Sequence, residues 1–590
     1  MKLNYKKTIL VGFAFFLICA FWQAYDTIIP MILVNRFGLN QTASGVIMAL
    51  DNIIALFMLP LFGSLSDKST SKKGKRTPFI VIGTVLAVVC FIGLSFSDNV
   101  QLNKLEEVRD PLSAYDTLWV ENPTISNAEY STFSNKNVAK SYKLQDYVAR
   151  INYNKDYASC TMTERDKLKE WYNNINKEYF EYVKSKDKNA EGKYETVYHY
   201  DKSKNEYDIV EIEIKDGKVT YTINDGKDVV KKENVTNAYI NLITPARQQY
   251  AWKITKTNYA PFVFFIILLL MTLFSMSIFR SPAVALMPDV TIKPLRSQGN
   301  AVINLMGTVG GMTVLLLGML FATGKSYNQM MSYVPFIAAV CAVMLVALFV
   351  FMLTVKEPAW VKEMQADTVK YGIEEEDEKQ AEGERKLTKS ERVSFILILA
   401  SVALWYMGYN AVTSKYSLYA STVLQMDYNT TLLIAQVTAT IAFIPVGLLA
   451  SKIGRRKSIL IGVTLLFGAF IGAIFLNSNS SAVVLNLLFA VAGIGWATIN
   501  VNSFPMVVEL AKCGDTGKYT GYYYVASMSA QVATPILSGL IMDSIGSMRP
   551  LFYYAAFFVL ASFVTMLFVK HGDNKPQKKI SVIENFDVDD

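Results

Sequence analysis

The chain has 590 residues, 52% of them hydrophobic and 13% aromatic, and a net charge of +8. A soluble chain of this length would divide into domains with polar surfaces. Here apolar runs of roughly twenty residues recur instead, long enough to cross a hydrocarbon core of about 30 Å, and the basic residues sit beside those runs, so nucleic acid is not an expected partner.

The first apolar run continues to Pro30 with no small-residue cleavage site, and reads as a first span rather than a signal peptide. Twelve spans are expected, at about 8–34, 43–64, 78–97, 258–280, 298–323, 332–355, 393–412, 428–450, 457–476, 482–505, 519–542 and 549–570. They divide the chain into a first half (1–97 and 258–355), an insert (98–257), a linker (356–392), a second half (393–570) and a tail (571–590). Cys19, Cys90, Cys160, Cys341 and Cys513 show no metal spacing, and neither a metal nor a cofactor is expected. His199 and His571 both lie outside the spans, which excludes intramembrane histidine proton chemistry.

Orientation follows from the short loops. Lys68, Lys72, Lys73, Lys75 and Arg76 follow span 2, Lys293 and Arg296 follow span 4, and Lys452, Arg455, Arg456 and Lys457 follow span 8. The alternate loops are poor in cations, with Arg36, Lys325 and Arg549 the exceptions. This pattern puts both termini and the linker in the cytoplasm and the insert outside; a cell membrane, of bacterial inner-membrane type, is the expected location. The stretch from Pro60 to Arg76 is echoed by the stretch from Pro445 to Lys457: a proline, glycines, a small-residue turn and a basic pair. Two six-span repeats joined by a cytoplasmic linker are a transporter architecture.

The insert is too long for a structureless loop. Residues Thr163 to Lys184 read as helical, and the alternation after Tyr207 across Asp216-Gly217 reads as a β-hairpin. A small extracytoplasmic α+β domain is expected, which binds a substrate, a partner or the cell wall, or caps the carrier. The linker, with its acidic run Glu374 to Glu378, reads as a solvated connector.

Asp26 and Asp51 lie within spans, where an unpaired ionisable group costs several kcal/mol and is functional by default. Each is about eight residues from the loop joining spans 1 and 2, so the two acids are expected about 12 Å deep, as proton-coupling groups. Trp22, Gln23, Tyr409, Asn410, Trp496, Asn500 and Asn502 recur at one-turn spacings in spans 1, 7 and 10. Aromatic rings stack on a sugar's apolar face and amides bind its hydroxyls, so these residues are expected to line a site for a neutral polyhydroxylated ligand. Asp67, Arg76, Arg280, Asp289, Arg455 and Arg456 are read at cytoplasmic helix ends, where acid–base pairs that break on opening would act as a gate. No nucleotide-binding or catalytic motif is present, which argues against an enzyme and an ATP-driven pump.

Gly63-Ser-Leu-Ser-Asp67 followed by Gly74-Lys75-Arg76-Thr-Pro78-Phe79-Ile80 resembles the loop signature of the major facilitator superfamily, in the form found in sucrose–proton symporters and the related glycoside–pentoside–hexuronide symporters. Phe279 to Asp289 resembles the segment after span 4 of the sucrose carriers. The resemblance implies an all-α fold of twelve helices in two six-helix pseudo-repeats, alternating access and cation-coupled sugar import by a monomer. There are departures. Val284 stands where the sucrose carriers have Arg, with Arg280 one turn away, and Ala55 and Leu59 stand where melibiose-type carriers have acids. Protons are therefore favoured over sodium. A carrier of another small organic solute, and a sensor that uses the insert and no longer transports, remain open.

Overall fold

A computed structural model describes residues 3–109, 114–126, 141–153, 155–173, 194–201, 206–215, 218–223, 242–371, 388–478, 480–509 and 516–571. Among them, twelve helices are long and apolar enough to cross a membrane. The first half holds Tyr5–Asn35, Gln41–Asp67, Thr77–Asn103, Ala260–Val290, Arg296–Leu320 and Val334–Thr354 (spans 1–6). The second holds Lys389–Tyr419, Tyr428–Ile453, Arg455–Ile474, Ala482–Glu509, Thr516–Ile545 and Pro550–Leu567 (spans 7–12).

Local chemistry sets several starts. The Asn40 side chain accepts from Ala43 N at 2.8 Å to open span 2, and Thr388 with Glu391 forms a capping box at span 7. Spans 3, 4, 6 and 12 begin with a proline in the first turn, where no amide donor is lost. Three expected ends move. Span 4 was expected to stop at 280, but it runs through Pro282 and Pro288 to Val290, so Arg280 lies inside the helix. Packing against neighbouring helices tolerates such prolines. Span 3 continues to Asn103, so residues 98–103 prolong a span rather than open the insert. Span 7 continues past 412 to Tyr419 and a wide turn at Ala420–Leu424.

The two halves use one pairing scheme. Span 1 packs on 5 and 6, span 3 on 4 and 6, and span 2 on 4; correspondingly span 7 packs on 11 and 12, span 9 on 10 and 12, and span 8 on 10. The halves meet through spans 2 and 11, 5 and 8, and 1 and 7. Spans 2 and 11 touch backbone to backbone: a Cβ on Gly45 would lie 2.1 Å from Pro535 O, and one on Gly539 2.5 Å from Gln41 O.

The insert contains both helix and strand. β1 (Thr124–Ser126) pairs with β2 (Ser141–Lys143), and β3 (Tyr194–Asp201), β4 (Glu206–Lys215) and β5 (Lys218–Ile223) form an antiparallel sheet. The expected hairpin is β4–β5, with Lys215 opposite Lys218; its turn, 216–217, lies outside the described residues. Residues 163–173 of the expected helix are helical, and 174–184 lie outside the described residues, as do 372–387, which hold the acidic run, and the tail beyond 571.

Span 1 is pinned to the prolonged end of span 3. Arg36, at the end of span 1, is fully buried beside Asp98, with Arg36 Nε 3.4 Å from Asp98 Oδ1. Its guanidinium also reaches Met331 O and stands 5.3 Å from the centre of the Tyr333 ring, while its carbonyl accepts from Gln101 Nε2 at 3.1 Å. The insert is anchored on the first half by a helix that precedes span 4 (Thr244–Thr257): Gln248 donates to Leu39 O at 2.8 Å, and Thr255 Oγ1 accepts from Gln101 Nε2 of span 3 at 3.1 Å.

Candidate functional site

A cavity of about 500 Å³ lies between the halves, lined from spans 1, 5, 7, 8 and 10 with Phe470 of span 9. That volume falls in the range of small-molecule sites, roughly 300–1,000 Å³. Six of the seven residues expected to bind substrate line it: Trp22, Gln23, Tyr409, Asn410, Trp496 and Asn500. Asn502 does not. It is buried and donates back to Thr498 O of its own helix at 2.9 Å, because residues two apart on a helix point to nearly opposite sides.

The Tyr409 and Trp496 rings stack, with centroids 3.6 Å apart and planes within 3°. Tyr406 meets the Trp496 ring edge-on at 5.4 Å. Trp22 Nε1, Asn410 Nδ2 and Gln436 Oε1 are buried polar atoms with no hydrogen-bond partner. Such groups cost free energy until a ligand or water satisfies them. Thr27, Asn304, Thr308, Thr413, Ser417 and Thr440 add short polar side chains to the wall.

Asp26 lines the cavity; Asp51 stands behind it on span 2, bonded to Asn52 Nδ2 at 2.7 Å. The two carboxylates are within electrostatic reach of one another, and Arg280 is within reach of Asp51. The Arg280 guanidinium also stands 5.7 Å from the centre of the Trp22 ring. Arg280 was expected at a helix end with the gating residues. The prolonged span 4 instead places it beside the cavity wall and the two acids.

Asp67, Arg76 and Asp289 do come together. Arg76 is buried, pairs with Asp67, and donates from Nε to Asp289 Oδ2 at 2.7 Å. Burial opposes its charge, but Asp289 and then Asp67 outweigh burial and hold the guanidinium above its ordinary pKa. Glu357, which opens the linker helix Glu357–Lys370, completes this network. Its carboxylate accepts from Arg76 N at 2.9 Å, Thr77 N at 2.8 Å and Thr77 Oγ1 at 2.7 Å, capping span 3. Arg455 and Arg456 open span 9 elsewhere; Arg456 Nη2 donates to Leu567 O at 2.6 Å, closing the end of span 12. Neither is among the partners described for Arg76.

At the insert end, hydrogen bonds cross between the halves. Asp543 of span 11 accepts from Gln41 N at 2.9 Å and from Thr42 N and Oγ1 at 2.8 and 2.6 Å, at the start of span 2. Lys415 of span 7, 3% exposed, donates to Gln41 O at 2.9 Å. Tyr428 Oη and Asn429 Nδ2, at the start of span 8, donate to Thr323 Oγ1 at 3.0 and 3.1 Å. Sequence reasoning missed Lys415 because span 7 was ended at 412. It missed Glu357 because a linker acid reads as solvated.

Twelve spans in two repeats around a shared cavity define a multi-pass secondary transporter. The family model described as Major Facilitator Superfamily matches residues 250–535, and the one described as MFS/sugar transport protein matches residues 10–103. The chain belongs to the major facilitator superfamily. No curated protein sequence matches it. Its fold is similar to the inward-open conformation of the xylose transporter XylE from E. coli, with 12% identity, a TM-score of 0.52 and coverage of 98% of each chain. It is also similar to the crystal structure of a D-xylose-proton symporter, with 12% identity, a TM-score of 0.50 and coverage of 96% of this chain and 99% of that one.

Proposed function

We propose that this transporter imports a sugar, a disaccharide or another glycoside, together with protons, by alternating access. The observation that carries the reading is the cavity wall, where a stacked aromatic pair and unpartnered amide and indole groups face Asp26. The Tyr409–Trp496 pair offers a flat apolar face to a sugar ring, and Trp22, Gln23, Asn410 and Asn500 offer donors and acceptors to hydroxyls. The match of residues 10–103 to a sugar-transport model supports this substrate class.

Proton coupling rests on Asp26, Asp51 and Arg280. One guanidinium beside two carboxylates leaves one negative charge uncompensated in a low-dielectric site, where a proton is the simplest neutraliser. Asp26, on the wall, is the group that gains and loses that proton with substrate; Arg280 neutralises Asp51 and responds when the Trp22 ring moves. Asp67, Arg76 and Asp289 brace the cytoplasmic end of the first half, and Arg455 and Arg456 fix the matching end of the second half. Both termini and the linker lie in the cytoplasm, the insert lies outside, and the described state faces inward.

The test is uptake into proteoliposomes of sucrose, maltose, lactose and melibiose under an imposed inward proton gradient. At least one sugar is expected to accumulate, and a protonophore to abolish accumulation. Asp26→Asn and Asp51→Asn are each expected to lower uphill accumulation by tenfold or more. Accumulation that ignores the gradient would end the proton reading; failure of every sugar would end the glycoside reading.

A further inference from the structure

Gln23 of span 1 and Gln436 of span 8 meet across the cavity, with Gln436 Nε2 donating to Gln23 Oε1. This bond joins the halves inside the cavity wall, away from the closed insert end. Gln436 Oε1 is buried without a partner, so the pair has unspent hydrogen-bonding capacity. Gly311 of span 5 leaves room for both amides: a Cβ there would stand 3.2 Å from Gln436 Oε1 and 3.6 Å from Gln23 Oε1.

A symporter reorients in two forms, fully loaded and empty. In the loaded form, substrate hydroxyls bridge the halves. In the empty form, only protein groups can do so. We infer that the Gln23–Gln436 amide pair stands in for the substrate in the empty carrier. It bridges the halves at mid-depth and lets the vacant cavity close and turn. It then parts, so that each amide takes a substrate hydroxyl. This inference rests on the transport reading above.

The chemistry is a one-for-one exchange. A primary amide donates and accepts, and so does a hydroxyl, so a polyol replaces each amide's partner without stranding a buried polar group, whereas an apolar solute would strand both. Position matters as much. Rocking about a central site displaces mid-depth groups least, so this bond survives closure while the ties at the insert end break; in the open cavity water can replace it, in the closed cavity nothing does, and its loss falls on the closed form. Removing the pair therefore slows the empty step selectively. One such bond is worth about a fivefold change in an equilibrium.

Two measurements test it. In a cysteine-free background, spin labels at Lys68→Cys and Lys452→Cys report the distance between the linker ends of the two halves in the ligand-free protein. Two distance populations are expected. Gln436→Ala, and separately Gly311→Val, which wedges the amides apart without removing them, are each expected to deplete the shorter one about fivefold. In proteoliposomes, with sucrose as the probe, Gln436→Ala is expected to raise the ratio of saturating exchange to saturating net flux about fivefold. Unchanged distances in both variants, or exchange and net flux falling together, would overturn the inference. The distance arm needs no substrate, so it decides the amide pair alone. Absence of sucrose flux in the unsubstituted protein counts against the sugar reading and leaves that result standing.

Discussion

The two ends of the helix bundle are held by polar networks of opposite kinds. At the insert end, Asp543, Lys415 and Thr323 tie one half to the other. At the linker end, Arg76 gathers Asp67, Asp289 and Glu357, which all belong to the first half or to the helix that follows it. Only the first kind resists separation of the halves. The second stiffens one half and holds the linker helix against it, so it acts on stability whichever way the carrier faces. Motif chemistry alone reads the second as the gate and passes over the first.

The comparison can be broken at four points. The largest effect is expected from Arg36→Met, which leaves the buried Asp98 without its cation. That should cost about 3–5 kcal/mol, read as a lower unfolding midpoint in detergent, with most of it recovered in Arg36→Met/Asp98→Leu. Next, Glu357→Ala strands two backbone amides and a hydroxyl at the start of span 3. A loss of about 3 kcal/mol is expected, with no shift in the balance of inward and outward states. Asp543→Ala removes the cap that span 11 places on span 2, at about 1–2 kcal/mol. Here the balance should move. Cys19, which lines the cavity, should react about tenfold faster with a membrane-impermeant maleimide added from the insert side. If Glu357→Ala speeds that reaction as much as Asp543→Ala does, the two ends do not differ in kind. Arg456→Ala, which releases carbonyls at the end of span 12, should cost about 1 kcal/mol or less and leave Cys19 labelling unchanged.

Much of this arrangement can be read in the chain, for a physical reason. Crossing a bilayer demands long apolar helices, so twelve spans and their repeat leave a strong trace. The cavity wall was legible too, because Trp22, Tyr409, Asn410 and Trp496 are polar or amphipathic residues at one-turn spacings inside apolar runs. Ends were harder. A cation inside a span looks like a span end, which cut span 4 at Arg280 and span 7 before Lys415. Arg36 was taken for an exposed loop charge, because its partner Asp98 lies 62 positions along and no local pattern links them. Asn502 looked like a neighbour of Asn500, yet side chains two apart on a helix diverge. Long-range pairs and helix-face errors share a cause: sequence spacing reports one element, whereas a site is made by several.

The anchoring of the insert has a practical consequence. Gln101 with Thr255, and Gln248 with Leu39 O, fasten its helix Thr244–Thr257 to the first half. Membrane carriers of this size offer little outside the detergent belt by which single-particle images can be aligned. This one carries its own marker, joined to one of the two halves by the helix Thr244–Thr257. An antibody fragment raised against the insert would label the first half in every image, and the angle between marker and second half would report the state of each molecule.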